Sequence, residues 1–407
     1  MPEKALLPRD NFATFPPTFP THAHRALPFQ FSVMIKALDI WLPAWRRREK
    51  YSQHALGTRH VMIAICDHYE PFHGVGKPEA VARVEAWQRD YPKLIEEFRD
   101  ADGIAPRYSF FYPIEQYDAD IVGRLADLCA ATGSETEIHL HHDNDTAENL
   151  RRTLEQGVER FASHGLLSRD GTGALRYGFI HGNWALDNSH PHGRHCGVNN
   201  ELRILRQTGC YADFTLPSAP ERTQTHTINS VYYARGTDRP KSHDRGRRVR
   251  ADRDPQQQHE DELLIVQGPL ALNWQRKKFG FLPRIENSDL TAVNPPTLER
   301  FRLWLDCQVA VEGRPNWVFV KLHTHGAKPE NTRMLLGEPM REFHRSLAKL
   351  AAKDRTICFH YVTARELVNI LHAAEAGHSG NPGQFRDFRY RRVTSGQTEG
   401  SMAESRP

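Results

Sequence analysis

Four segments concentrate imidazoles and carboxylates directly after short apolar runs. "VMIAICDHYEPFHG" delivers Asp67, His68, Glu70 and His73, and "TEIHLHHDNDT" delivers His139, His141, His142, Asp143 and Asp145. "YGFIHGNWALDNS" carries His181, Asn183, Trp184 and Asp187, while "WVFVKLHTHG" carries His323 and His325. One carboxylate with two imidazoles, or with a second carboxylate, suits a borderline divalent cation such as zinc and leaves a position open for water. Water so held loses a proton near neutral pH, a nearby carboxylate can serve as base, and a histidine from another segment can serve as acid. Such a set does hydrolysis. Any one of these segments also reads as a solvated polar loop; convergence of all four is what would make a site.

Convergence depends on the elements that carry them. In parallel α/β folds functional side chains gather beyond the carboxyl ends of the strands, where all four segments lie. Apolar runs predict strands near 60–66, 107–112, 135–140, 176–181, 211–215, 316–322 and 355–360. Amphipathic stretches predict helices at 79–100, 118–132, 146–164, 199–208, 297–311, 338–353 and 363–376. The first has Val81, Val84, Trp87, Tyr91, Leu94, Ile95 and Phe98 at a helical period. Repeated strand–helix units point to a parallel sheet, closed or nearly closed into a barrel. Alternation along a strand puts His139 and His141 on one face and His142 on the other, and it likewise pairs His323 with His325.

The alternation breaks over about 216–296, an insertion in which "TINSVYYA" and "DELLIVQGPLAL" predict a β-pair decorating the barrel, around an Arg/Asp-rich solvated loop. Residues 1–27, rich in proline, read as a disordered leader, and 378–407 read as a tail, polar and disordered after Arg391. Met34 offers an alternative start. Residues 28–57 form an N-terminal amphipathic segment; 28–48 are too short to cross a bilayer comfortably. They read as a helix packed on the domain or as an interfacial segment, with tryptophans at headgroup depth and arginines on anionic lipid.

In a chain of 407 residues, 54 Lys+Arg nearly balance 50 Asp+Glu, which argues against a nucleic-acid partner. The 23 histidines are the compositional outlier. Six cysteines form no CxxC pair, and buried free thiols in a reducing compartment are expected. No P-loop, GxGxxG, GxSxG or HExxH motif occurs.

The order of strand-end motifs resembles the polysaccharide deacetylase family, the NodB-homology domain of the glycoside hydrolase/deacetylase superfamily, over residues 58–377. "AICDHYEP" lies where that family has an acidic pair, with His68 or Glu70 in place of the second acid. "EIHLHHDND" is similar to "EIGLHGxxH", matching His141 to the first metal histidine and Asp145 to the second. "YADFTLP" resembles the barrel-filling "YDSSLFP", "VKLHTHG" the last catalytic motif, and "HYVTARELVNILHAAE" the helix closing such domains. The arginine of the family's RxPY motif has no clear counterpart. The resemblance implies a deformed (β/α)7-type barrel and a metal-dependent hydrolase that removes N-acetyl groups from amino sugars in bacterial exopolysaccharide or glycan biosynthesis. It implies Asp67 as base, or as a ligand if the register shifts, and His323 as acid. His68, His141 and Asp145 become metal ligands, with His139 as a further candidate. His142, His181, Asn183, Trp184, Asp187 and His325 are expected to meet substrate, and Trp184 to stack on a sugar. The expected cofactor is zinc, with nickel, cobalt or manganese as alternatives. The expected partner is a carbohydrate, free or lipid-linked, and the expected location is cytoplasmic, peripheral at the inner membrane face. A glycosidase on the same barrel and a non-catalytic glycan-binding protein are the competing readings.

Overall fold

Helix α1 (Leu38–Arg47) precedes strand β1 (Arg59–His68), followed by α2 (Lys77–Ile95), β2 (Ser109–Pro113), α3 (Ala119–Thr132), β3 (Glu135–Leu140) and α4 (Ala147–Ala162). Next come β4 (Ser168–Arg169), β5 (Leu175–His181), α5 (Glu201–Gln207) and β6 (Cys210–Asp213). The middle of the chain holds β7 (Val231–Arg235), β8 (Arg247–Arg248), β9 (Glu262–Val266), β10 (Ala271–Lys278), β11 (Leu282–Glu286) and β12 (Asp289–Leu290). The last part holds α6 (Leu298–Asp306), β13 (Trp317–Thr324), α7 (Pro329–Leu335), α8 (Glu338–Lys353), β14 (Ile357–Tyr361), α9 (Ala364–Glu375) and β15 (Arg391–Arg392). This computed structural model describes residues 36–48, 57–251 and 259–392; the expected leader, 1–27, and the end of the tail lie outside them.

The architecture is mixed α/β, with a large, mostly parallel sheet in the order β12-β13-β1-β2-β3-β5-β6-β9-β7-β8. Strand β1 explains the order. Its "VMIAIC" run is apolar at every position, as a strand covered on both faces must be. One edge pairs with β13 from His60 to Asp67; the other pairs first with β14 and then, over its last residues, with β2. Alternate residues enter different cores. Val61, Ile63 and Ile65 pack with Trp87, Leu125 and Leu154 of the helix layer. Met62, Ala64 and Cys66 pack with Ile180, Phe319 and helix α9. That helix is buried along its whole length, and Thr363 and Glu366 cap it reciprocally.

Two expectations change, and one of two readings of the N-terminal segment is favoured. Strands β7 and β9 do pair antiparallel, but β9 also pairs parallel with β6, so it belongs to the main sheet and is no decoration. Its hydrophobic run must be covered on both faces, which a surface hairpin cannot provide. Residues 378–392 dock on the domain: Arg386 bridges Asp100, Asp102 and Glu366, and Tyr390 stacks on Tyr211. Finally, α1 turns Ile40 and Trp41 inward against Ala219, Ile228 and Leu270. Residues 36–48 therefore keep this apolar side from lipid; 28–35 lie outside the described residues. No described helix is long and apolar enough to cross a membrane.

Candidate metal centre at the strand ends

His68 ends β1. The next residue, Tyr69, bonds its backbone N–H to Phe111 O and buries its ring in the helix layer, so alternation returns Glu70 to the side of His68. On β3, His139 donates from Nδ1 to Ile180 O at 2.8 Å, which leaves Nε2 facing Glu70 Oε1 at 3.3 Å. His141 brings its Nε2 to 3.4 Å from the same oxygen. The His68 ring lies 5.0 Å from that of His139 and 4.9 Å from that of His325, and its buried Nε2 has no hydrogen-bond partner.

Ligand atoms of His68, Glu70 and His139 lie within 4.8 Å of one another, a spread that could hold a metal ion. The separations are informative. Charge-assisted hydrogen bonds run about 2.7–2.9 Å, whereas metal–ligand bonds of about 2.0–2.1 Å give a tetrahedral edge of about 3.3–3.4 Å. The 3.3 Å between His139 and Glu70 fits the edge. The Nδ1 contact to a backbone carbonyl is also the usual way of fixing which imidazole nitrogen stays free to ligate.

Toward solvent, His141 Nδ1 sits 2.7 Å from Glu115 Oε1, in the turn that follows β2. Burial alone would depress the His141 pKa, but hydrogen bonds to Glu115 and Glu70 outweigh it and lift it to about 9. Glu70 is correspondingly held well below the usual carboxylate range, because the facing imidazoles of His139 and His141 overcome its burial. The imidazole of His141 lies so close to Gly182 that a β-carbon there would stand 2.3 Å from Cδ2. Beyond Gly182, Asn183 and Trp184 both have positive φ, 53° and 54°. For a bulky residue that is strained backbone, and it sets the Trp184 ring 6.1 Å from His68 and 6.2 Å from His325.

His323 and His325 complete the wall. Burial holds His325 down to about 4 and His323 well below the ordinary imidazole value, the latter helped by Lys321. Burial also brings Lys321 down to about 8.

Several expected residues lie elsewhere. Asp67 faces the opposite side from His68, as adjacent strand residues must. Its carboxylate accepts from Gly326 N–H and Tyr108 OH, and burial pushes its pKa up to about 7 against those bonds. It does not reach the imidazoles as a base. Asp145 does not accompany His141: its carboxylate bonds His142 Nδ1 and Asn149, because His142 points to the other face of β3. His142 and His181 meet Glu201 in a buried cluster away from the solvent-facing rim, so substrate cannot touch them there. Asp187 is buried and accepts from Ser242, serving the loop scaffold. Asn183 is exposed.

Two carboxylates had no ligand or positioning role from the sequence, where Glu70 stood only as an alternative second acid and Glu115 was not named. Glu70 stands two positions beyond the end of β1 at His68, and Glu115 two positions beyond the end of β2, where the strand-end rule points. Another potential cation group, Asp100, Asp102 and His360, already carries the Arg386 guanidinium on both acids. No protein-family model and no curated protein matches the chain.

Proposed function

We propose that the chain is a metal-dependent hydrolase of amide bonds in N-acetylated sugars, with His68, Glu70 and His139 as the cation seat. The carrying observation is the convergence of Glu70 Oε1 and His139 Nε2 at tetrahedral-edge distance beside the unpartnered His68 Nε2. A divalent cation in such a seat supplies Lewis acidity to a carbonyl oxygen and makes a water acidic. His141 keeps its proton at neutral pH and would donate it from Nε2 to the departing nitrogen, with Nδ1 held by Glu115. Trp184, only half buried, offers its face to a sugar ring. Buried His323 and half-buried His325 stay neutral and line the inner wall.

The barrel reading belongs with this proposal. Lys321 Nζ, on β13, donates to Leu216 O just past β6 at 2.8 Å, and the backbone N–H of Gly268, just past β9, bonds the same carbonyl. These bonds bring the two sides of the sheet together and favour closure. A glycosidase needs two carboxylates facing the scissile bond, but Glu70 and Glu115 are both engaged by imidazoles.

The expected membrane contact moves to the β10–β11 hairpin. Trp274, Phe279, Phe281 and Leu282 are exposed there, beside exposed Lys277 and Arg284, a composition suited to anionic lipid. A lipid-linked sugar would then be met at the surface that carries it.

Metal analysis and acetate release from N-acetylated oligosaccharides test the core of this reading. Glu70→Gln should lose one metal equivalent, whereas His141→Ala should keep the metal and lose acetate release. Full acetate release by His141→Ala, or a wild-type chain without metal at this seat, overturns it.

A further inference from the structure

A second set of side chains lies on the other face of β3, closed off from the rim. His142 and His181 turn their rings together, 4.7 Å between centroids, and both point Nε2 at Glu201 Oε1, at 3.2 and 3.5 Å. The Sγ of Cys196 lies 3.5 Å from the other oxygen of Glu201. His181, Cys196 and Glu201 are fully buried, and the His142 side chain is only 7% exposed.

The hydrogen bonds around this set decide what it is for. His181 Nδ1 donates to Gly182 O, so in the neutral imidazole Nε2 carries a lone pair; it has no hydrogen-bond partner and faces the carboxylate. Two lone pairs so opposed among buried side chains repel unless a cation lies between them. His142 Nδ1 is held by Asp145, whose other oxygen accepts from Asn149 and Thr146. The backbone N–H of Asp187 donates to Glu201, and that of Val198 to the Cys196 sulfur. Every one of the four side chains thus has an outer partner that fixes its orientation, the arrangement that surrounds metal ligands.

We infer that His142, His181, Cys196 and Glu201 form a second, structural metal site, selective for zinc. The four offer two imidazole nitrogens, one thiolate and one carboxylate, the borderline-to-soft set that zinc takes in tetrahedral sites. The two imidazole nitrogens stand 3.2 and 3.5 Å from Glu201 Oε1, near the tetrahedral edge, and ligand atoms of all four residues lie within 4.8 Å of one another. All four positions are protein ligands and the site is closed, so it has no place for substrate. Its effect is to tie the loop after β5 and the start of α5 to the ends of β3 and β5. Gly197 makes the approach feasible: with φ of 98° it brings the loop so near that a β-carbon would lie 2.7 Å from Asp145 N.

This inference stands whether or not the His68–Glu70–His139 seat is catalytic. Sulfur separates the two, because only the second site contains a thiolate. The full-length chain loaded with cobalt(II) should show a thiolate-to-cobalt charge-transfer band in the near ultraviolet. Cys196→Ser should lack the band and bind one equivalent fewer, while Glu70→Gln should keep it. Asp145→Asn should weaken zinc at this site by about 10–100-fold. A cobalt-loaded wild type without the band, or a Cys196→Ser chain with undiminished metal content, overturns the assignment. If Cys196→Ser does not fold, the band in the unaltered chain decides by itself.

Discussion

Glu70 is the charged member of the proposed cation seat, and its replacement by glutamine gives a quantitative test. The amide keeps the shape and removes the anion, leaving His68 and His139 as the remaining ligand donors. A cation present at about a hundredfold excess over its dissociation constant stabilises the fold by about 2.7 kcal/mol. The unfolding entropy is about 2.1 cal/mol/K per residue, so a folded unit of about 340 residues loses about 0.7 kcal/mol per degree near its midpoint. Occupancy of the seat should therefore raise Tm by about 4 °C. If the substitution weakens binding a hundredfold, the same zinc concentration contributes only about 0.4 kcal/mol, a rise below about 1 °C. The assay is a thermal scan of chelator-stripped protein with and without zinc. Comparing the zinc-induced rise, and not Tm itself, cancels any effect of the substitution on the metal-free fold. Because the Cys196 cluster adds its own increment in both proteins, the expected signature is a rise smaller by about 3–4 °C. An unchanged rise would refute the assignment of Glu70 as a ligand.

Gly182→Ala should drive the His141 ring off Glu115, since the added carbon would stand 2.3 Å from Cδ2, and an ångström of misplacement costs turnover about 100-fold while metal content stays constant. His344 lies between Phe98 and Tyr361, and burial holds its pKa at about 3, below the ordinary 6.5; the stability its neutral form contributes is whole above pH 6.5 and is lost as pH falls toward 3. At pH 5 that loss is about 2 kcal/mol, so urea titrations of His344→Phe should show a drop between pH 7.5 and 5 smaller than the wild type's by that amount; equal drops would sink the argument. The hairpin should bind vesicles containing phosphatidylserine but not pure phosphatidylcholine, and Lys277→Glu should weaken sedimentation with them at least severalfold, given about 1 kcal/mol per cation near such a surface.

How far the sequence reveals this arrangement depends on the range of the interaction that sets each part. The strands carrying the histidines were legible because "VMIAIC" and "WVFVKL" are long apolar runs whose covering on both faces requires a central, parallel position. The dual pairing of β9 was not, because its parallel neighbour β6 lies about fifty residues earlier and no local pattern records that contact. Within the site, period-two alternation was enough to join His139 with His141 and to separate His142. The resemblance pulled the other way on Asp67, aligning it as a base, whereas its backbone position at the end of β1 commits it to the helix side. Cys196 and Glu201 had no signal at all: they are more than fifty residues from His142, and their spacing fits no recurrent zinc motif.

The segment "EIHLHHDND" accounts for why one strand end serves two unlike clusters. A strand that stops at Leu140 still sets the side of the next residues, so His139 and His141 fall to Glu70 while His142 falls to Glu201. Asp145 then follows His142, because Thr146 caps α4 and fixes the turn between them. A pairing of His141 with Asp145 would require the chain to reverse that turn and leave His142 without its acid. The two faces also differ in what they leave open: the first ends at half-exposed His141 and Trp184, the second at buried Cys196. An open cluster and a closed one therefore share a single strand, and the closed one is built partly on the loop that carries Trp184 in its strained backbone.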